Sequence, residues 1–161
     1  MSVLTDEHGN SLIEQLQVAD REITHLYENE YPPANATAEE KEEWQSKVTR
    51  AEDRRSSLNE QIYDKVQQVK EDFRLAARAF TNLQSHVSHG NRFETREAWE
   101  FECSHAAKEA DRISDELGGR LRDIARELDN AGFGVEGWGL STREDAYRVN
   151  FIRPNWDEIN S

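Results

Sequence analysis

The stretch WQSKVTRAEDRRSSLNEQIYDKVQQVKEDFRLAARAFTNLQSHV, residues 44–87, decides the fold. Trp44, Val48, Ala51, Arg55, Leu58, Ile62, Val66, Val69, Phe73, Ala76, Phe80, Leu83 and Val87 follow one another by alternating steps of four and three. The alternation breaks only where Leu58, Ile62 and Val66 make two steps of four in a row. That period lines up as one stripe on an α-helix and as none on a strand, whose faces alternate at every residue. No glycine or proline interrupts it, and Thr37 followed by Glu40 is a capping box just upstream. The spacing predicts one helix over about residues 38–87, roughly 70 Å long at about 1.5 Å per residue.

Downstream, Gly90 supplies a residue for a left-handed cap, and Asn91 with Glu94 a fresh N-terminus. A further stripe then runs Trp99, Cys103, Ala106, Ala110, Ile113, Leu117, Leu121, Ile124, Leu128, Ala131, predicting a helix over about 92–131. It carries its own double step of four, from Ile113 through Leu117 to Leu121, beside Gly118 and Gly119. Folding this helix back on the long one pairs Phe80 with Cys103, Phe73 with Ala110 and Ile62 with Leu121, so the two irregular steps meet. A four-residue insertion unwinds a coiled coil locally, and both helices must do so at the same level. The expected fold is therefore mainly α, a long antiparallel, coiled-coil-like helical hairpin.

Upstream, Leu12, Leu16, Ala19, Ile23 and Leu26 form a shorter heptad seam with Ser11 and Glu14 as its capping box, predicting a helix over about 11–31 that stops before Pro32 and packs on the hairpin. At the opposite end the pattern changes at Gly132. Gly132-Phe133-Gly134-Val135-Glu136-Gly137-Trp138-Gly139 leads to a polar turn at 141–145, after which Tyr147, Val149 and Phe151 alternate with Arg148 and Asn150. Alternation of this kind reads as strand, and residues 132–161 are expected to form a small C-terminal β-hairpin and tail. The whole chain, 1–161, reads as one elongated domain.

Composition agrees with an extended helical shape. Hydrophobic residues are 35% and charged residues 33% of the chain, too little interior for a large core, yet four Trp, four Tyr and six Phe are too many for a chain that stays disordered. The net charge of −13 argues against direct nucleic-acid or anionic-membrane binding, which require excess Lys and Arg. One cysteine excludes an intramolecular disulfide and a cysteine-based metal centre, which suits a cytoplasmic setting. No segment reaches the ~20 apolar residues of a membrane span, and the N-terminus does not read as an export signal.

Few residues suggest chemistry. Residues 132–137 match GxGxxG by letter, but a predicted helix precedes them and a predicted strand follows, the reverse of a dinucleotide-binding turn. His86 and His89 share a helix end without the further ligands zinc requires. Cys103 falls on the seam, where thiols are inert. No catalytic residue, metal ligand or cofactor is expected.

Charge distribution is more informative. Asp6, Glu7, Glu14, Asp20, Glu22, Glu28 and Glu30 lie within the first 31 residues against the single base Arg21, making an acidic face able to dock a basic groove. Trp138 and Trp156 are aromatic anchors of the kind interfaces use. Near the hairpin tip, Phe73, Leu75, Phe80, Leu83, Trp99 and Phe101 widen the apolar stripe beyond what two helices cover, so either the C-terminal segment or a second copy of the chain must cover it. The expected function is a non-catalytic acidic protein-interaction module that regulates or inhibits a partner. That partner is a basic protein, and one form is mimicry of nucleic acid toward a nucleic-acid-binding protein, of viral or mobile-element accessory type. The alternative is a self-assembling structural coiled-coil subunit, a homodimer or larger.

Overall fold

The computed structural model describes residues 2–89 and 92–160. Helices dominate: α1 (Leu12–Asn29), α2 (Ala38–Val87), α3 (Arg96–Arg112), α4 (Gly118–Asn130) and the short α5 (Trp156–Ile159), with a π-helical segment at Ile113–Leu117 and a 3-10 turn at Glu136–Trp138. The long helix has the bounds its stripe predicts. α1 ends at Asn29, two residues inside the predicted limit, and α3 begins at Arg96 rather than near 92. Thr95 is the cap there: it is extended (φ −134°, ψ 156°) and its hydroxyl accepts the Ala98 amide. The expected glycine cap at Gly90 and N-cap at Asn91 lie outside the described residues. Ser11 and Thr37 cap α1 and α2 through the Glu14 and Glu40 amides, as their spacing implies.

The chain divides into two compact units. The first comprises Met1–Val66 with Asn130–Phe133. Within it α1 lies antiparallel to the start of α2, so that Ile23 and Leu26 of α1 pack against Val48 and Ala51 of α2, with Trp44 over them. Leu12, Leu16 and Ala19 of the α1 seam are also buried, as is Leu4 in the loop before it. This burial stabilises the helix, since most helical stability in proteins comes from packing of an apolar face rather than from propensity.

The second unit comprises Gln67–Asp129 with Gly134–Ser161. Passing back along α2 from Val87 to Phe80, the partners advance along α3: Val87 packs with Trp99 and Cys103, and Phe80 with Ala106, Ala110 and Ile113. That order is antiparallel. The double step at Ile113, Leu117 and Leu121 is realised as the π-helical segment, closed by the Gly118 amide donating to the Ile113 carbonyl. One extra residue in a turn shifts the later stripe round the axis, which keeps Leu121, Ile124 and Leu128 buried. The corresponding irregularity in α2 leaves that helix α throughout, with Leu58, Ile62 and Val66 all buried.

The expected C-terminal β-hairpin is not formed. Among the described residues there is no strand, only an isolated antiparallel bridge between Thr5 and Ser11. The alternation from Tyr147 to Phe151 is nevertheless real: Tyr147, Val149 and Phe151 are half-buried while Arg148 and Asn150 are exposed. The extended segment lies on helices instead of on another strand, and helix side chains take the place of a ladder. Gln84 donates from its amide nitrogen to the Ile152 carbonyl (2.8 Å) and accepts the Ile152 amide (3.0 Å). Ser114 does the same for Val149, and Arg122 donates to the Ala146 carbonyl (2.9 Å). These side chains serve both backbone groups of Val149 and Ile152, which in a sheet would bond to a second strand.

Candidate functional site

The seven acidic residues of the N-terminal region do not share one role. Asp6 organises the loop before α1, accepting the amides of His8 and Asn10 (both 2.9 Å) and the side-chain amide of Gln15 (3.0 Å). Those bonds, the Asn10 amide foremost, hold its carboxyl below the ordinary value. Asp20, Glu22 and Glu30 face bases on α2, pairing with Arg55 (3.6 Å), Arg54 (2.8 Å) and Lys47 (3.6 Å). Glu7 pairs with His8 (3.4 Å). Glu14 and Glu28 are exposed and form no ion pair with another described residue. The acidic face is thus partly neutralised by the helix it packs on.

The aromatic and apolar candidates also separate. Trp99 and Phe80 are fully or nearly buried within the second unit. Phe73 and Leu83 are half-buried in the cluster that Val149 and Phe151 cover. Trp156 packs against Trp99 with ring centroids 5.1 Å apart, and Arg153 lies over the same Trp99 ring. The C-terminal segment therefore covers the apolar tip within its own chain. Trp138 is half-buried in the 3-10 turn, while Leu75 (50% exposed) and Phe101 (72%) remain open to solvent.

Another set of residues comes together at the elbow joining α1 to α2, where the sequence marks only a helix end before Pro32. Trp44 packs into the α1 interface and donates from its indole nitrogen to the Leu26 carbonyl (2.9 Å), one of the oxygens left without a partner at a helix C-terminus. Tyr27 and Tyr31 both meet Trp44 edge to face, at 5.2 and 5.0 Å, yet are 47% and 65% exposed. A half-buried tryptophan thereby holds two exposed rings in place, with Pro32 and Pro33 stiffening the link.

A hollow of about 260 Å³ opens on one side of this cluster, lined by Glu30, Tyr31, Pro33, Glu40, Glu43 and Trp44 among others. A second, of about 210 Å³, opens beside Tyr31, Trp44, Lys41 and Gln45. Lys47 occupies Glu30, whereas the Glu40 and Glu43 carboxylates, one turn apart on the exposed side of α2, form no ion pair with another described residue. Glu40, in the first turn of α2, also lies near its positive end.

No protein-family model, curated protein or solved structure matches this chain.

Other residues weighed for chemistry have plain surroundings. Gly132 adopts φ +88° just past the end of α4, the left-handed position that closes a helix, and residues 136–138 form a 3-10 turn. The GxGxxG letters therefore do not form a strand-to-helix turn. The His86 ring lies on Phe93 (4.9 Å), and His89 Nδ1 is 2.6 Å from the Ser85 carbonyl. Cys103 is fully buried beside Val87 and Trp99, and burial pushes its thiol up, away from the reactive thiolate.

Proposed function

We propose that this chain is a non-catalytic protein-interaction module that engages a basic partner through the acidic, aromatic elbow between α1 and α2, and that it regulates or inhibits that partner by occupying its basic surface. The observation that carries this reading is the coincidence, at one place, of two exposed tyrosines anchored on Trp44 and two carboxylates without ion-pair partners. Rigid aromatic rings supply contact area at low entropic cost, and uncompensated charge supplies attraction and orientation. A protein that itself binds nucleic acid has the required surface, so charge mimicry is the specific form of inhibition this reading favours. A reducing, cytoplasmic setting suits the single, buried thiol.

The test is the salt and variant dependence of a purified complex. A partner held by the elbow dissociates as salt rises and is lost with Tyr31→Ala combined with Glu40→Gln and Glu43→Gln, while Glu14→Gln has little effect. Equal binding by the elbow variant and the unaltered chain rejects the elbow.

Self-assembly is a second reading, supported by the exposed Leu75 and Phe101 side chains. Sedimentation velocity decides it: a strict monomer at micromolar concentration excludes it.

A further inference from the structure

The elbow's two hollows differ in chemistry. The larger is lined by three carboxylates, Glu40, Glu43 and Glu30, and by one base, Lys47, which engages Glu30; the smaller is lined by Lys41 and no carboxylate. Tyr31, Pro32 and Trp44 line both, so a wall of two rings and a proline separates an anionic hollow from one without acids. We propose that the larger hollow is a receptor for one arginine side chain of a basic partner segment, its guanidinium lying against the Tyr31–Trp44 wall and donating to Glu40 and Glu43.

Three features select arginine over other cations. Glu40 and Glu43 sit three residues apart on one helix, so their carboxylates are neighbours on its surface, and a planar fork with five donors can serve two neighbouring carboxylates at once. The wall is aromatic, and a guanidinium stacks on rings and is more weakly hydrated than an ammonium, so it loses less on entering. The hollow is shallow and open to solvent, so a strongly hydrated lysine ammonium gains little there beyond its charge. Lys47, which also lines the hollow, pairs with Glu30 at 3.6 Å and leaves Glu40 and Glu43 unpaired.

This inference rests on the proposed engagement of a basic partner at the elbow, and it is tested so that the two can fail separately. An oligo-arginine peptide and an oligo-lysine peptide of equal length and charge are titrated into the full chain while the amide and indole resonances are followed by NMR. The expected result is roughly fivefold to tenfold tighter binding of oligo-arginine, with the largest shifts at Tyr31, Glu40, Glu43 and the Trp44 indole. Glu40→Gln with Glu43→Gln, both on exposed positions, and separately Tyr31→Ala, should each lower the arginine affinity to about that of lysine, with the helix signal in circular dichroism unchanged. Equal affinity of the two peptides at the elbow, insensitive to Tyr31→Ala, overturns the arginine receptor and leaves a basic partner in place. No binding, or shifts that map away from residues 27–47, overturns both.

Discussion

One hydroxyl serves both backbone groups of a residue thirty-five positions away: Ser114 Oγ accepts the Val149 amide at 2.8 Å and donates to the Val149 carbonyl at 3.0 Å. Ser114 is itself buried, and it lies in the π-helical segment, where its own carbonyl accepts from Arg122 (3.1 Å). The irregular turn thus receives the C-terminal arm. Replacing Ser114 by alanine leaves an amide and a carbonyl without partners and should cost about 1–3 kcal/mol. Urea denaturation measures the loss, and hydrogen exchange should quicken at the Val149 amide before it does in α1.

Gly118 and Gly119 stand side by side and should respond oppositely to alanine. A methyl group at Gly118 overlaps the carbonyl oxygen of Tyr147, so Gly118→Ala must push the arm away, at an expected cost of about 1–3 kcal/mol. At Gly119 the nearest atom to a new methyl is Arg122 Nη2 at 3.8 Å, an ordinary contact, and Gly119→Ala should gain about 0.5–1 kcal/mol from helix propensity. Midpoints of chemical denaturation that move the same way for both variants would contradict the close approach of Tyr147.

Trp44→Phe keeps an aromatic ring over Ile23, Leu26 and Val48 but removes the donor to the Leu26 carbonyl. The site is half-buried, so water can replace part of the bond, and the expected loss is about 1 kcal/mol. The same change should broaden the Tyr31 ring resonances in NMR, because the ring it rests on is smaller. Unaltered stability would mean that the indole nitrogen contributes nothing to closing α1.

The ion pairs between α1 and α2 are exposed. A double-mutant cycle on Glu22 and Arg54, using Glu22→Gln and Arg54→Gln, should return a coupling below about 1 kcal/mol that shrinks further in high salt. A large coupling insensitive to salt would contradict the solvated geometry.

Asp6 supplies a pH dependence of defined sign. Its carboxyl lies below the ordinary value because the Asn10 and His8 amides and Gln15 bond the ionised form. A lowered native value means that its contribution is complete above about pH 4, the unfolded value, and is lost as the pH falls through the lowered one. In an NMR titration the Asn10 and His8 amide shifts should share one midpoint below that of an unstructured aspartate, and Asp6→Ala should abolish it.

Helix positions were legible because their causes are local. The stripe from Trp44 to Val87, with Thr37 as cap, carries its own period and bounds, and the extra step at Ile113, Leu117 and Leu121 is the place where the π-helical turn forms. The start of α3 was less legible, since Asn91 with Glu94 carries the capping-box spacing whereas Thr95 is followed three residues on by Ala98, yet the helix begins at Arg96.

The candidate site was harder to read. Tyr27, Tyr31 and Trp44 are spread over two helices and a turn, and nothing in their spacing says that one indole will support two exposed rings. Nor does composition tell which acids stay uncompensated. Asp20, Glu22 and Glu30 find bases on α2 because α1 lies antiparallel to it, while Glu40 and Glu43, beside the end of α1, meet no base among the described residues.

The C-terminal arm marks the boundary between what the amino-acid order determines and what tertiary structure decides. Alternation at Tyr147, Val149 and Phe151 determines an extended segment with one apolar face, since that property depends on neighbours in the chain. Whether such a segment pairs with a strand or with side chains depends on which donors and acceptors come within about 3 Å of it. Here those are Gln84, Ser114 and Arg122, brought to the arm by the packing of α2 against α3 and by an irregular turn, and no local pattern announces them.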